Sequence, residues 1–205
     1  MYLYPKWLRL WHLINAILVV ILIYSGLSMQ YTGKEDPLLL MKFANAVRWH
    51  NSAAVILIIS YAGFVAGNLY TQNGRFYRME RKNFWSDIRR QMKYYSLGMF
   101  RGEKNPFPVT LDSKFNPLQK LTYVLIMYFA LPLIIISGLG LMFPEITIGR
   151  IFGVSGLVLT DLLHIIMGFL VTVFLVIHIY TCTLGSKPTS LFRGMISGYH
   201  ESDDQ

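Results

Sequence analysis

Four stretches almost free of charged side chains dominate this sequence. No Asp, Glu, Lys or Arg occurs between Arg9 and Lys34, between Arg48 and Arg75, or between Lys120 and Glu145, and Arg150 to Lys187 holds only Asp161. A hydrocarbon core of ~30 Å takes about 20 apolar residues of helix, so each stretch is long enough to span a bilayer. A soluble bundle would need polar faces recurring at the helical period on most segments, and these are absent. The expected fold is therefore all-α, an integral membrane four-helix bundle forming one domain over residues 1–205. Its helices are expected at about Leu8 to Gln30, Trp49 to Tyr70, Leu121 to Met142 and Leu157 to Leu184. The first stretch is too long, and too poor in an A-x-A-like site, for a cleaved signal peptide.

The net charge of +8 invites a nucleic-acid partner, but the basic residues are not spread over a surface. Eleven of them lie between Arg75 and Lys120 against Glu80, Asp87, Glu103 and Asp112. The positive-inside rule then puts this long second connection, residues 71–117, in the cytoplasm together with both termini. Phe84, Trp85, Ile88, Met92 and Tyr95 interleave with basic residues between Phe76 and Tyr95, predicting an amphipathic segment on the membrane surface. Pro106, Pro108 and Pro117 predict an irregular second half, from Gly102 to Pro117. Trp7, Trp11, Trp49, Tyr4, Tyr31 and Tyr70 are expected as anchors at the headgroup level, and Pro132 as a bend in the third helix.

Four of the five histidines sit inside the apolar stretches. His164 and His178 are fourteen positions apart on one helix, roughly 21 Å along its axis and within about 40° of one face. The topology fixes depth: His12 and His178 fall near the cytoplasmic surface, His50 and His164 near the outer one. Two pairs matched in depth suit two haems, each iron held by trans imidazoles with no axial position left for a substrate. The single cysteine, Cys182, excludes a C-x-x-C-H attachment, so any haem is non-covalent. Arg9 and Arg75 on the inner side, and Arg48 and Arg150 on the outer side, are candidates to pair with haem propionates. Gly26, Gly63, Gly67, Gly138, Gly140 and Gly168 leave room for a flat macrocycle or for close helix packing. A proton relay would normally recruit carboxylates, and Asp161 is the only one within the spans. His200, in the polar tail, is expected to be solvated.

The four spans, His12, His50 and the His164 to His178 spacing resemble the di-haem cytochrome b subunits of bacterial respiratory complexes. Those are the membrane subunits of formate dehydrogenase, nickel-iron hydrogenase and thiosulfate reductase. The stretch Lys114-Phe115-Asn116-Pro117-Leu118-Gln119-Lys120-Leu121-Thr122-Tyr123 is similar to the opening of the third helix in formate dehydrogenase and thiosulfate reductase relatives. The resemblance implies a multi-pass protein of the bacterial cytoplasmic membrane holding two haem b. It also implies electron transfer between a redox partner, such as an iron-sulfur or multihaem subunit, and a quinone, menaquinone or ubiquinone, near the inner haem. Asn116 would then hydrogen-bond a quinone carbonyl, with Gln119 and Lys120 beside it; Asn116 is equally a good helix N-cap, and the two roles are compatible. Two other readings stay open: a stand-alone cytochrome b561 oxidising a small external reductant such as superoxide, and a haem-free membrane anchor or transporter.

Overall fold

The computed structural model describes residues 1–32, 40–79, 83–185 and 187–200. In chain order the helices are α1 (Lys6–Tyr31), α2 (Phe43–Tyr70), a loop helix α3 (Phe84–Lys93), α4 (Pro117–Met142), α5 (Gly156–Cys182) and α6 (Ser190–Ser197). Helices α1, α2, α4 and α5 are each long and apolar enough to cross a membrane. Their outer surfaces are apolar: Ile59 is 68% exposed and Phe169 66%, as suits side chains that face lipid.

The four long helices pack as two hairpins, α1 on α2 and α4 on α5. Lipid gives helices little hydrophobic reason to associate, so polar and aromatic contacts matter. In the first hairpin Trp11 Nε1 donates to Ser60 O at 3.1 Å and Asn15 Nδ2 to Ser60 Oγ at 2.7 Å. Trp11 also stacks on Phe64, and Trp7 lies so close to Gly67 that a Cβ there would come within 2.7 Å of its ring. These two tryptophans therefore serve the α1–α2 contact. Tyr31 and Tyr70 are exposed at the helix ends.

Helix α4 passes Pro132 without breaking. Ile126–Ala130 is wound as a π turn, whose i→i+5 pattern would direct the N–H of residue 132 to Met127 O. Proline has no N–H, and Tyr61 of α2 fills the gap by donating its hydroxyl to Met127 O at 2.8 Å. The same bond ties the two hairpins together. Val19, Ala130, Ile134, Met167 and Val171 form an apolar layer at mid-height between them.

Several boundaries differ from the sequence expectation. Helix α2 begins at Phe43, so Arg48 and Trp49 lie within it; a long guanidinium stem lets Arg occupy a helix position while its head reaches a polar boundary. Helix α4 begins at Pro117, where Asn116 and Gln119 form a reciprocal capping box and proline occupies the first turn. The connection of residues 71–117 is partly ordered. It holds a 3-10 segment (Gln72–Tyr77) and α3, which runs on through Tyr94–Gly98 and Met99–Arg101, before an irregular stretch up to Asn116. Arg81 and Lys82, part of the expected amphipathic segment, fall outside the described residues, as does Lys34.

The C-terminal region also departs from expectation. Beyond α5 the chain forms α6, and Tyr199 pairs with Tyr2 in an antiparallel bridge. His200 N donates to Met1 O at 2.8 Å and the Met1 amine to His200 O at 2.9 Å, so the backbone there is held to the N-terminus instead of trailing in solvent. Met1 and His200 consequently meet at the end of the bundle that carries the long loop.

Candidate functional site

Near the termini end, the ring centroids of His12 on α1 and His178 on α5 are 6.1 Å apart. Near the opposite end, those of His50 on α2 and His164 on α5 are also 6.1 Å apart. All four rings are half-buried. Imidazole nitrogens bind transition metals at roughly 2.0 Å, and a ring centre lies about 1.1 Å behind its nitrogen, so two trans imidazoles place their centres about 6 Å apart. Both pairs have that separation. Among the described residues no group of three or more His, Cys, Asp or Glu is placed to hold a metal by itself.

Two serines that the sequence reading passed over orient the second pair. Ser25 Oγ lies 3.0 Å from His50 Nδ1 and donates to Ile21 O at 2.7 Å. Ser137 Oγ lies 3.1 Å from His164 Nδ1 and donates to Leu133 O at 2.7 Å. Each hydroxyl has spent its proton on a carbonyl one turn back, so it accepts from the histidine Nδ1–H. That fixes the tautomer and leaves Nε2 with a free lone pair for a metal. A glycine follows each serine. A Cβ at Gly26 would lie 3.6 Å from His50 Cε1, and one at Gly138 would lie 3.1 Å from His164 Cε1. The signal was present as a Ser-Gly pair repeated in α1 and α4, each facing a histidine of another helix.

The first pair has a different surround. Phe174, one turn before His178, stacks on it at 5.5 Å, Tyr123 of α4 meets it edge-on at 6.0 Å, and Cys182 Sγ lies 3.9 Å from its Nε2. Arg9, nearly one turn before His12, donates to Ile196 O on α6 and keeps its buried Nε without a hydrogen-bond partner. Arg48 is exposed on α2 two residues before His50, and Arg150 is exposed in a two-residue strand. Arg75, expected as a propionate partner, turns to its own loop instead. It pairs with Asp112 at 3.7 Å, donates to Leu111 O and lies over the Phe76 ring.

The polar group at the start of α4 sits at the same end as His12 and His178. Asn116 is buried; its Oδ1 accepts from Gln119 N at 2.9 Å, and its Nδ2 donates to the Tyr95 hydroxyl at 2.8 Å. Gln119 Oε1 accepts from Asn116 N, and Lys120, half-buried, continues the helix. Lys114 is buried as well. Its Nζ donates to Asn73 Oδ1 at 3.3 Å and lies 4.2 Å above the Phe76 ring; Asn73 Nδ2 donates to Asn68 Oδ1 at 2.7 Å, and Asn68 Nδ2 to Tyr128 at 3.1 Å. Desolvation, helped by Arg75, pushes the Lys114 ammonium down to about 8.

The sequence family described as prokaryotic cytochrome b561 matches residues 3–198. The chain belongs to that family. This cytochrome is also 37% identical over 204 residues to "Putative cytochrome YdhU" of Escherichia coli strain K12, a match covering 97% of this chain and 74% of the relative. No solved structure matches it. It is an integral bacterial membrane cytochrome b, with haem b as the cofactor its family implies and electron transfer as its general role.

Proposed function

We propose that this cytochrome holds two haem b, one between His12 and His178 and one between His50 and His164, and carries electrons across the membrane between a redox partner subunit and quinone. The observation that carries the reading is the repeated 6.1 Å separation of two histidine pairs that draw their α5 members from positions fourteen residues apart. A bound haem b supplies reversible one-electron iron chemistry, and bis-histidine ligation reserves it for electron transfer. The chain does the rest. Ser25 and Ser137 aim two of the ligands, the layer of Val19, Ala130, Met167 and Val171 keeps water from the space between the pairs, and Arg9, whose buried Nε has no partner, would pair with a propionate.

The quinone belongs, in this reading, beside the His12–His178 pair. Asn116, Gln119 and Lys120 gather polar groups at that end, close to the basic loop and to water that can exchange protons. The positive-inside rule makes this end cytoplasmic, with both termini. The partner, an iron-sulfur or multihaem protein, would then exchange electrons at the His50–His164 end. Family membership sets aside a haem-free anchor or transporter. A stand-alone cytochrome oxidising a small external reductant shares both pairs and is separated by turnover of the purified chain without partners. The direct test is quinone chemistry in the purified complex: Asn116→Ala should weaken inhibition by a quinone analogue several-fold with both haem spectra intact. Unchanged inhibition places the quinone elsewhere.

A further inference from the structure

The loop helix α3 packs against the first turns of α4, and what it brings there is unusual. Ile88 and Gln91 face inward, 5% and 0% exposed, while Trp85, Met92 and Phe100 are exposed on the outer side. An inward isoleucine is ordinary packing; a fully buried glutamine is not. Neither Gln91 Nε2 nor Gln91 Oε1 has a hydrogen-bond partner, although buried amides are nearly always paired because an unmet donor or acceptor keeps its full desolvation cost.

Its neighbour on the same face is Tyr95, one turn on. Burial raises the pKa of that phenol, and hydrogen bonding from the Asn116 and Gln91 side chains opposes the rise, so the Gln91 amide lies within reach of the Tyr95 hydroxyl without a bond of ordinary geometry. The Tyr95 oxygen accepts from Asn116 Nδ2, which leaves its own O–H proton available for another acceptor. A buried carboxamide without a well-formed hydrogen bond and a phenol O–H thus lie together beside Asn116, on an element that the sequence predicts as an amphipathic segment on the membrane surface.

We propose that Gln91 and Tyr95, with Asn116, form the hydrogen-bonding wall of the quinone head-group site, so that α3 is part of that site. The inference rests on the reading that quinone binds at this end. The chemistry of the ligand suits the wall. A quinone carbonyl accepts hydrogen bonds, which Gln91 Nε2 and the Tyr95 hydroxyl can give; a quinol hydroxyl donates, and Gln91 Oε1 can receive. One carboxamide therefore serves both oxidation forms of the ligand by presenting one atom or the other.

The test uses the intact holoprotein in mild detergent, titrated with an alkyl hydroxyquinoline N-oxide as the quinone analogue. Four proteins are compared: wild type, Gln91→Met, Tyr95→Phe and Asn116→Ala. Methionine keeps the volume of glutamine and removes only the amide, so the fold should survive. The proposal expects Kd to rise about 3- to 10-fold in Gln91→Met and in Tyr95→Phe, with both haem spectra and the thermal midpoint kept. If Asn116→Ala loses affinity while the two loop-helix variants bind like wild type, Gln91 is a buried amide only and the proposal is overturned, though the quinone reading stands. If none of the three variants moves Kd, both fail. Should Gln91→Met not fold, Tyr95→Phe decides alone, and an unchanged Kd in it overturns the proposal.

Discussion

Ser137 Oγ lies 3.1 Å from His164 Nδ1, and Ser25 repeats the relationship to His50 at 3.0 Å from another helix. Each serine belongs to the other helix of the same hairpin as the histidine it orients, so the tautomer of each ring depends on how the two helices pack. Ser137→Ala removes the acceptor while leaving the Nε2 ligand in place. Outer partners of metal-bound histidines are worth 10- to 100-fold in affinity, and the nearby Ile134 carbonyl can take part of the load, so we expect about a 10-fold loss. Haem titration of the apoprotein should show that loss at one site and leave the other unchanged.

The two histidine pairs should behave as separate units. His12→Ala and His178→Ala are expected to remove the same redox component, and His50→Ala and His164→Ala the other, because each pair shares one end of the bundle. Redox titration of the four variants reads this directly. If His12→Ala and His50→Ala abolish one and the same component, the pairing is wrong.

Lys114 gives a pH signature. Its ammonium loses its proton at about 8 in the folded protein, against an ordinary value of 10.5. Between those values the unfolded chain binds the proton and the folded one does not, so stability gains from this group as pH climbs from 8 to 10.5. Below 8 both states are protonated, and the burial cost is fully felt. Thermal midpoints measured over this window should rise less steeply in Lys114→Met than in wild type. Equal slopes would mean that the buried ammonium is better solvated than its position indicates.

The four spans were legible because lipid imposes a blunt requirement, about 20 apolar residues without charge, that Arg9, Arg48, Lys120 and Arg150 delimit. The same reliance on charge misplaced the starts of α2 and α4, since Arg48 and Lys120 lie inside helices that begin at Phe43 and at Pro117. Depth alone brought His12 toward His178 and His50 toward His164. What depth could not reveal is azimuth: which face Ser25, Ser137 and Gln91 present to another helix depends on packing angles that no single stretch encodes. Trp7 and Trp11 illustrate the same limit, for their positions near a helix end suit a headgroup role but do not disclose the α1–α2 contact that they make with Gly67, Ser60 and Phe64.

The haem content of the purified chain tests the account most directly. After mild-detergent purification, acidified organic solvent should extract two non-covalent haem b per chain, and the reduced protein should show low-spin, six-coordinate iron throughout. A reproducible ratio of one haem per chain, with His50→Ala or His12→Ala leaving it unchanged, would contradict the two-pair account.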